Sequence, residues 1–181
     1  MDSGPLFQRP KRRLYVAYDQ RRDGPRYERF KLLFGSSFEI VRDNSIDREL
    51  GSDDAEGHIA LLAQEAMEGC HCAVILCGPN THDRKFVDWE ILAALRKGLA
   101  LVAIPLPDCP QGAAGNPILP ARFQRNFDSG YAVLCPWSGL AAAEDDLSTK
   151  VRFALERPPE LIDNAAPPMD ADGAAAGAGS S

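Results

Sequence analysis

Cys72-Ala73-Val74-Ile75-Leu76-Cys77-Gly78-Pro79-Asn80 decides the fold. Six apolar residues in a row, ended by Gly-Pro-Asn, make a strand with no polar face, and such strands belong to parallel sheets covered by helices on both sides. The text that follows is a polar loop, Thr81 to Arg84, and then an amphipathic helix from Lys85 to Lys97 stopped by Gly98. Leu99 to Ile104 is a further apolar run, ended by Pro105 and Pro107. A strand, a helix and a second strand at this spacing form the crossover unit that joins parallel strands.

The same alternation extends in both directions. Leu14 to Tyr18 reads as the first strand, and Asp19 opens a polar loop through Gly24-Pro25. Apolar residues at 27, 30, 33 and 34 predict a helix closed by Gly35-Ser36-Ser37, and Phe38 to Val41 reads as a short second strand. Arg42 to Asp54 is predicted to be a long loop. Ser52, Asp53 or Asp54 would cap the next helix, which carries Ile59, Leu62, Ala63 and Ala66 on one stripe. Between Asp108 and Gly130 only Pro120 to Phe127 looks helical; Tyr131 to Leu134 is a fifth strand and Leu147 to Leu155 a last helix. The expected fold is α/β: a flavodoxin-like, doubly wound, five-stranded parallel sheet of order 2-1-3-4-5 with helices on both faces. Ligands of such sheets lie outside the carboxyl ends of the strands where the order reverses, here between strands 1 and 3. Tyr18 and Asp19 flank that point on one side, Gly78 to Arg84 on the other.

The 181 residues carry 20 Lys and Arg against 26 Asp and Glu, a net charge of −6, which excludes a general nucleic-acid binder because phosphate neutralisation needs a basic face. The one dense basic run, Lys11-Arg12-Arg13, reads as a solvated flank of the first strand. At roughly 150 residues per domain the chain holds one. The expected division is a basic N-terminal flank over 1–12, a domain over 13–160, and a disordered Ala/Gly/Pro-rich tail over 161–181 that has too little apolar surface to offset its ordering entropy. Five cysteines, an odd number set mostly in strand-like text, fit reduced thiols in a cytoplasmic protein. Met1 to Pro10 lacks an apolar signal core and no run of 18 apolar residues occurs, so neither export nor a membrane span is expected.

Chemistry points to the helix after the third strand. At about 100° per residue, Val87, Ile91, Ala94 and Leu95 share one sheet-facing stripe. Glu90 lies at its border, with Phe86 one turn before it. A carboxylate there can lean into the switch-point site, whereas Trp89 and Arg96 fall on the far side. Trp89 is expected on the outer face, against another subunit or the tail.

The pattern Thr81-x-x-Arg84-x-Phe86-Val87-x-Trp89-Glu90-Ile91, after Ala73 to Gly78 and before the strand ending at Ile104, resembles the TIR-like family that includes the TIR protein of the Thoeris anti-phage system. The likeness runs from about Arg13 to Pro107. Two positions differ from its usual form: Phe86 stands where Trp is common and Ala17 where Ser is usual. The resemblance implies an NAD+-cleaving enzyme, a glycohydrolase or ADP-ribosyl cyclase, whose catalytic residue is Glu90. It also implies a substrate site from Tyr15, Tyr18, Asp19, Thr81, Arg84 and Phe86, with Arg84 toward the pyrophosphate. NAD+ is then substrate, and no cofactor or metal is expected. Implied partners are a phage-derived trigger, further copies of the chain, and an effector reached through a nucleotide messenger. The alternative is a non-catalytic TIR-like adaptor that works by self-association or partner binding and needs no carboxylate at that border.

Other chemistries fit poorly. Cys70 and Cys72 share one sheet face while Cys77 lies at the strand's other end, which is no zinc geometry. Cys77-Gly78 lacks a nucleophile elbow and stands where a receiver domain needs aspartate. Neither a G-x-G-x-x-G after the first strand nor a P-loop occurs.

Overall fold

The computed structural model describes residues 10–41, 55–137 and 144–169. Five parallel strands, β1 Arg12–Ala17, β2 Phe38–Val41, β3 Cys72–Cys77, β4 Ala100–Pro105 and β5 Val133–Leu134, form one sheet of order β2-β1-β3-β4-β5. This is the flavodoxin-like order that the sequence predicts. Tyr15 pairs with Val41 on one side and Ala73 on the other, and Ala17 pairs with Ile75.

Strand alternation divides the core in two. Leu14, Val16, Val74, Leu76, Val102 and Ile104 meet helices α1 (Gln20–Phe34) and α5 (Glu144–Leu155) through Phe30, Phe34, Leu147 and Val151. Tyr15, Ala17, Ala73, Ile75, Leu101 and Ala103 face the opposite layer, α2 (Ala55–Ala66), α3 (Lys85–Arg96) and α4 (Ala121–Asp128), through Ala63, Met67, Ile91 and Phe123. Gly98, at φ 67°, supplies the left-handed turn that returns α3 to β4.

Three readings change. The expected polar loop from Asp19 to Pro25 is the start of α1. Asp19 caps it by accepting from the Arg21 amide at 3.2 Å, Asp23 suits the positive end of the helix, and Pro25 forgoes a single backbone bond in the second turn. Second, α3 is buried at every position from Val87 to Leu95, so it has no outer face. Third, the tail expected to be disordered from 161 onward is ordered through residue 169, where it forms a strap across α3 and α4. The long loop of residues 42–54, its candidate caps, and residues 170–181 lie outside the described residues.

Because the strap lacks large buried side chains, it is held by polar groups that are themselves buried. The Arg122 guanidinium binds Asp88 twice, at 2.9 and 3.1 Å, and also donates to the Asn164 side chain and to the carbonyls of Ala166 and Pro167. Met169 donates its amide to Asp88 and accepts from the Trp89 indole. Asn126 and the backbone of Asp163 bond reciprocally at 2.8 and 2.9 Å. Away from water such bonds strengthen one another. Trp89 thus packs against the tail, one of the two surroundings its helix position predicts.

Removing one partner of the Asp88–Arg122 pair strands the other charge in a dry site. Arg122→Met is expected to cost about 3–5 kcal/mol in urea unfolding, with part of that loss recovered by adding Asp88→Asn.

Candidate functional site at the β1–β3 switch point

Glu90 is only 4% exposed, and one carboxylate oxygen accepts a 2.7 Å hydrogen bond from the Tyr15 hydroxyl. The pairing follows from periodicity: Tyr15 points to the α3 side of the sheet and Glu90 stands at the sheet-facing border of α3. Tyr15 therefore acts first on the carboxylate itself. The phenol donor fixes where the carboxylate sits.

Four of the five other predicted residues, Asp19, Thr81, Arg84 and Phe86, lie at the rim; Tyr18 does not. The Arg84 Nε lies 2.9 Å from Asp19 Oδ2, joining the start of α3 to the end of β1, and the Arg84 side chain stays one-third exposed. Phe86 meets Trp89 edge-on with centroids 5.5 Å apart, and the Lys85 ammonium lies 5.2 Å from the Phe86 ring. Thr81 is fully buried; the Gly78 amide donates to its Oγ at 2.8 Å. Tyr18 falls in the other core layer, stacked on Tyr27 at 4.5 Å, so the sheet separates it from Glu90. The structure brings Tyr15 and Glu90 together, and Asp19 and Arg84; Thr81 shapes the loop between them.

Asp23 belongs to the site and was not singled out from the sequence. The loop reading of residues 19–25 hid it; treating Asp19 as a helix cap puts Asp23 one turn away, aimed at the same strand ends. Asp23 is 2% exposed and faces Thr81, whose Oγ lies 3.4 Å from Asp23 Oδ2 and 3.4 Å from the Leu76 carbonyl. It lies so close to Gly78 that a methyl group there would overlap its carboxyl group, which explains the glycine at the end of β3. Burial, then the nearby Asp19 and Asp108 charges, push Asp23 from 3.8 up to about 6, against the pull of the Thr81 bond and Arg26.

Burial holds the Cys77 thiol well above its ordinary range, which removes it as a nucleophile at neutral pH. Among the described residues no group of three His, Cys, Asp or Glu is placed to hold a metal ion, and no helix is long and apolar enough to cross a membrane.

A flavodoxin-like parallel sheet with a carboxylate-bearing helix directly after β3, tied back to β1 by a tyrosine, defines a TIR-like domain. The family model of the Thoeris protein ThsB TIR-like domain matches residues 15–110, just over half of the chain, and the chain belongs to that family. No curated protein matches it. The matched region runs from Tyr15, the partner of Glu90, to just past Cys109, close to the span over which the motif resemblance is visible in the sequence.

Because the folded-state value of Asp23 lies above the ordinary one, stability from its neutral form is fully present below about pH 4 and is lost as pH rises through about 6. Asp23→Asn is therefore expected to stabilise the domain at pH 8 by about 1–2 kcal/mol and to be near neutral at pH 4. Urea midpoints at the two pH values check this.

Proposed function

We propose that this TIR-like defence domain cleaves the bond between nicotinamide and ribose in NAD+, as a glycohydrolase or ADP-ribosyl cyclase, with Glu90 as the catalytic carboxylate. The single observation that carries this reading is the Glu90–Tyr15 pair at the switch point, an acid kept off the solvent face and oriented by a hydroxyl. The bond that breaks joins C1′ of the ribose to the pyridinium nitrogen. Its electron pair leaves with nicotinamide, which departs neutral, so no acid catalyst is required. Positive charge develops on C1′ and the ring oxygen, and a fixed carboxylate stabilises it. Water then supplies the new C1′–O bond and loses a proton, or another nucleophile of the ADP-ribose closes a ring.

In this reading the rim has defined tasks. Arg84 is the exposed cation for the pyrophosphate, exchanging its Asp19 contact for a phosphate oxygen. Phe86 offers an aromatic surface one turn from Glu90, and Thr81 and Asp23 fix the loop that carries Arg84. The family supports a role in anti-phage defence; the proposed pathway adds a phage-derived trigger upstream and a nucleotide messenger that reaches an effector downstream.

One observation favours a second reading. Glu90 is buried and already engaged by Tyr15, as it would be in a non-catalytic adaptor that uses this bond to join α3 to β1.

NAD+ loss and nucleotide products, measured in cells under phage challenge, separate the two. Glu90→Gln is expected to lower turnover by about 100-fold or more. Tyr15→Phe is expected to lower it by about tenfold, the rate equivalent of one hydrogen bond to a charged group. Equal NAD+ loss in wild type and Glu90→Gln would remove Glu90 from the chemistry; no loss in a triggered wild type favours the adaptor.

A further inference from the structure

The strap is bound in the manner of a peptide ligand. Its contacts with α3 and α4 are made mainly by its backbone: Asp163 through N–H and C=O to Asn126, Ala166 and Pro167 through C=O to Arg122, and Met169 through N–H to Asp88 and C=O from Trp89. The side-chain bonds are those of Asn164 to Arg122 and of Asp163 to Arg125. None of residues 163–169 is buried; the apolar anchor lies just upstream, where Leu161 and Ile162 pack partly buried against the core. Pro167-Pro168 presets an extended backbone and lowers the entropy lost on docking.

The seat, in contrast, is built into the fold. Asp88, Trp89, Arg122 and Asn126 are each at least 96% buried. The two bonds between Asp88 and Arg122 do not pass through the strap, so each charge has a partner that undocking does not remove. That separates a releasable segment from one whose loss collapses its surroundings.

The seat also touches the site. Asp88 and Trp89 immediately precede Glu90, and Phe86, one turn earlier, packs edge-on against Trp89. A docked strap ties both residues of that turn to a segment roughly 80 positions later in the chain.

We propose that residues 163–169 are a releasable peptide ligand of the seat formed by α3 and α4, and that their docking restrains the turn of α3 that carries Glu90. The docking stands by itself; its consequence for turnover rests on the NAD+-cleaving reading above.

The test uses the full chain in a Trp137→Phe background, so that Trp89 is the sole indole. Asp163→Ser, Asn164→Gly, Pro167→Gly and Pro168→Gly together loosen the strap and leave the seat intact. Trp89 emission then moves to longer wavelength, and amide exchange over 86–91 speeds by about tenfold. A synthetic peptide of residues 162–169 reverses both changes. Trp89→Phe removes the indole bond to Met169 together with part of the packing on Phe86, and moves exchange in the same direction. Unchanged emission and exchange, or a change that excess peptide leaves in place, overturns the proposal. In NAD+ assays the loosened chain turns over faster than wild type and the peptide slows it again. Equal turnover in the two removes the link to Glu90, while no turnover in any form counts against the NAD+-cleaving reading and leaves the exchange result standing.

Discussion

All six positions of β3 are closed to solvent, and that constraint organises the rest of the molecule. A strand with no wet face must be covered above and below, so each helix that touches it brings apolar surface. α3 feels this most, because it follows β3 directly and lies between the sheet on one side and α4 with the strap on the other. Its buried polar residues then have no water to turn to. Asp88 takes Arg122, Trp89 takes the Met169 carbonyl, and Glu90 takes Tyr15. The three consecutive side chains are oriented by three different parts of the fold.

Two of the contacts that assemble the site span long stretches of sequence. Tyr15 and Glu90 are 75 positions apart, and Asp19 and Arg84 are 65. Both run from β1 or its end to the first half of α3, crossing the place where the sheet reverses its order. They require the β1–β3 register to be in place, so the rim and its carboxylate take shape together with the central ladder.

Sequence periodicity is a good guide wherever apolar residues decide the structure. β3, β4, the sheet order and the helices after β3 and before the C-terminal strap follow from apolar runs and glycine or proline stops, and Glu90 follows from its angle to the stripe of Val87, Ile91 and Leu95. Where polar groups decide, that guide weakens. Gly24-Pro25 hides the first turns of α1 because the Asp19 cap outweighs two poor helix formers. The strap looks too polar to order because composition counts apolar area and cannot register a seat of buried Asp88, Arg122 and Asn126. Asp23 has no motif; only the cap geometry brings its carboxyl under Gly78. Tyr18, assigned to the site from its place at a strand end, is turned to the opposite layer by alternation.

Asp19 does two jobs with one carboxylate: it caps α1 through the Arg21 amide and it neutralises Arg84. If the guanidinium swings to another anion, Asp19 does not become an orphan, because the amide and the positive end of α1 still satisfy its charge. The rim can thus exchange one counter-ion for another while its net electrostatic balance stays nearly level. A lone Arg–Asp pair without a helix behind the acid would resist that exchange.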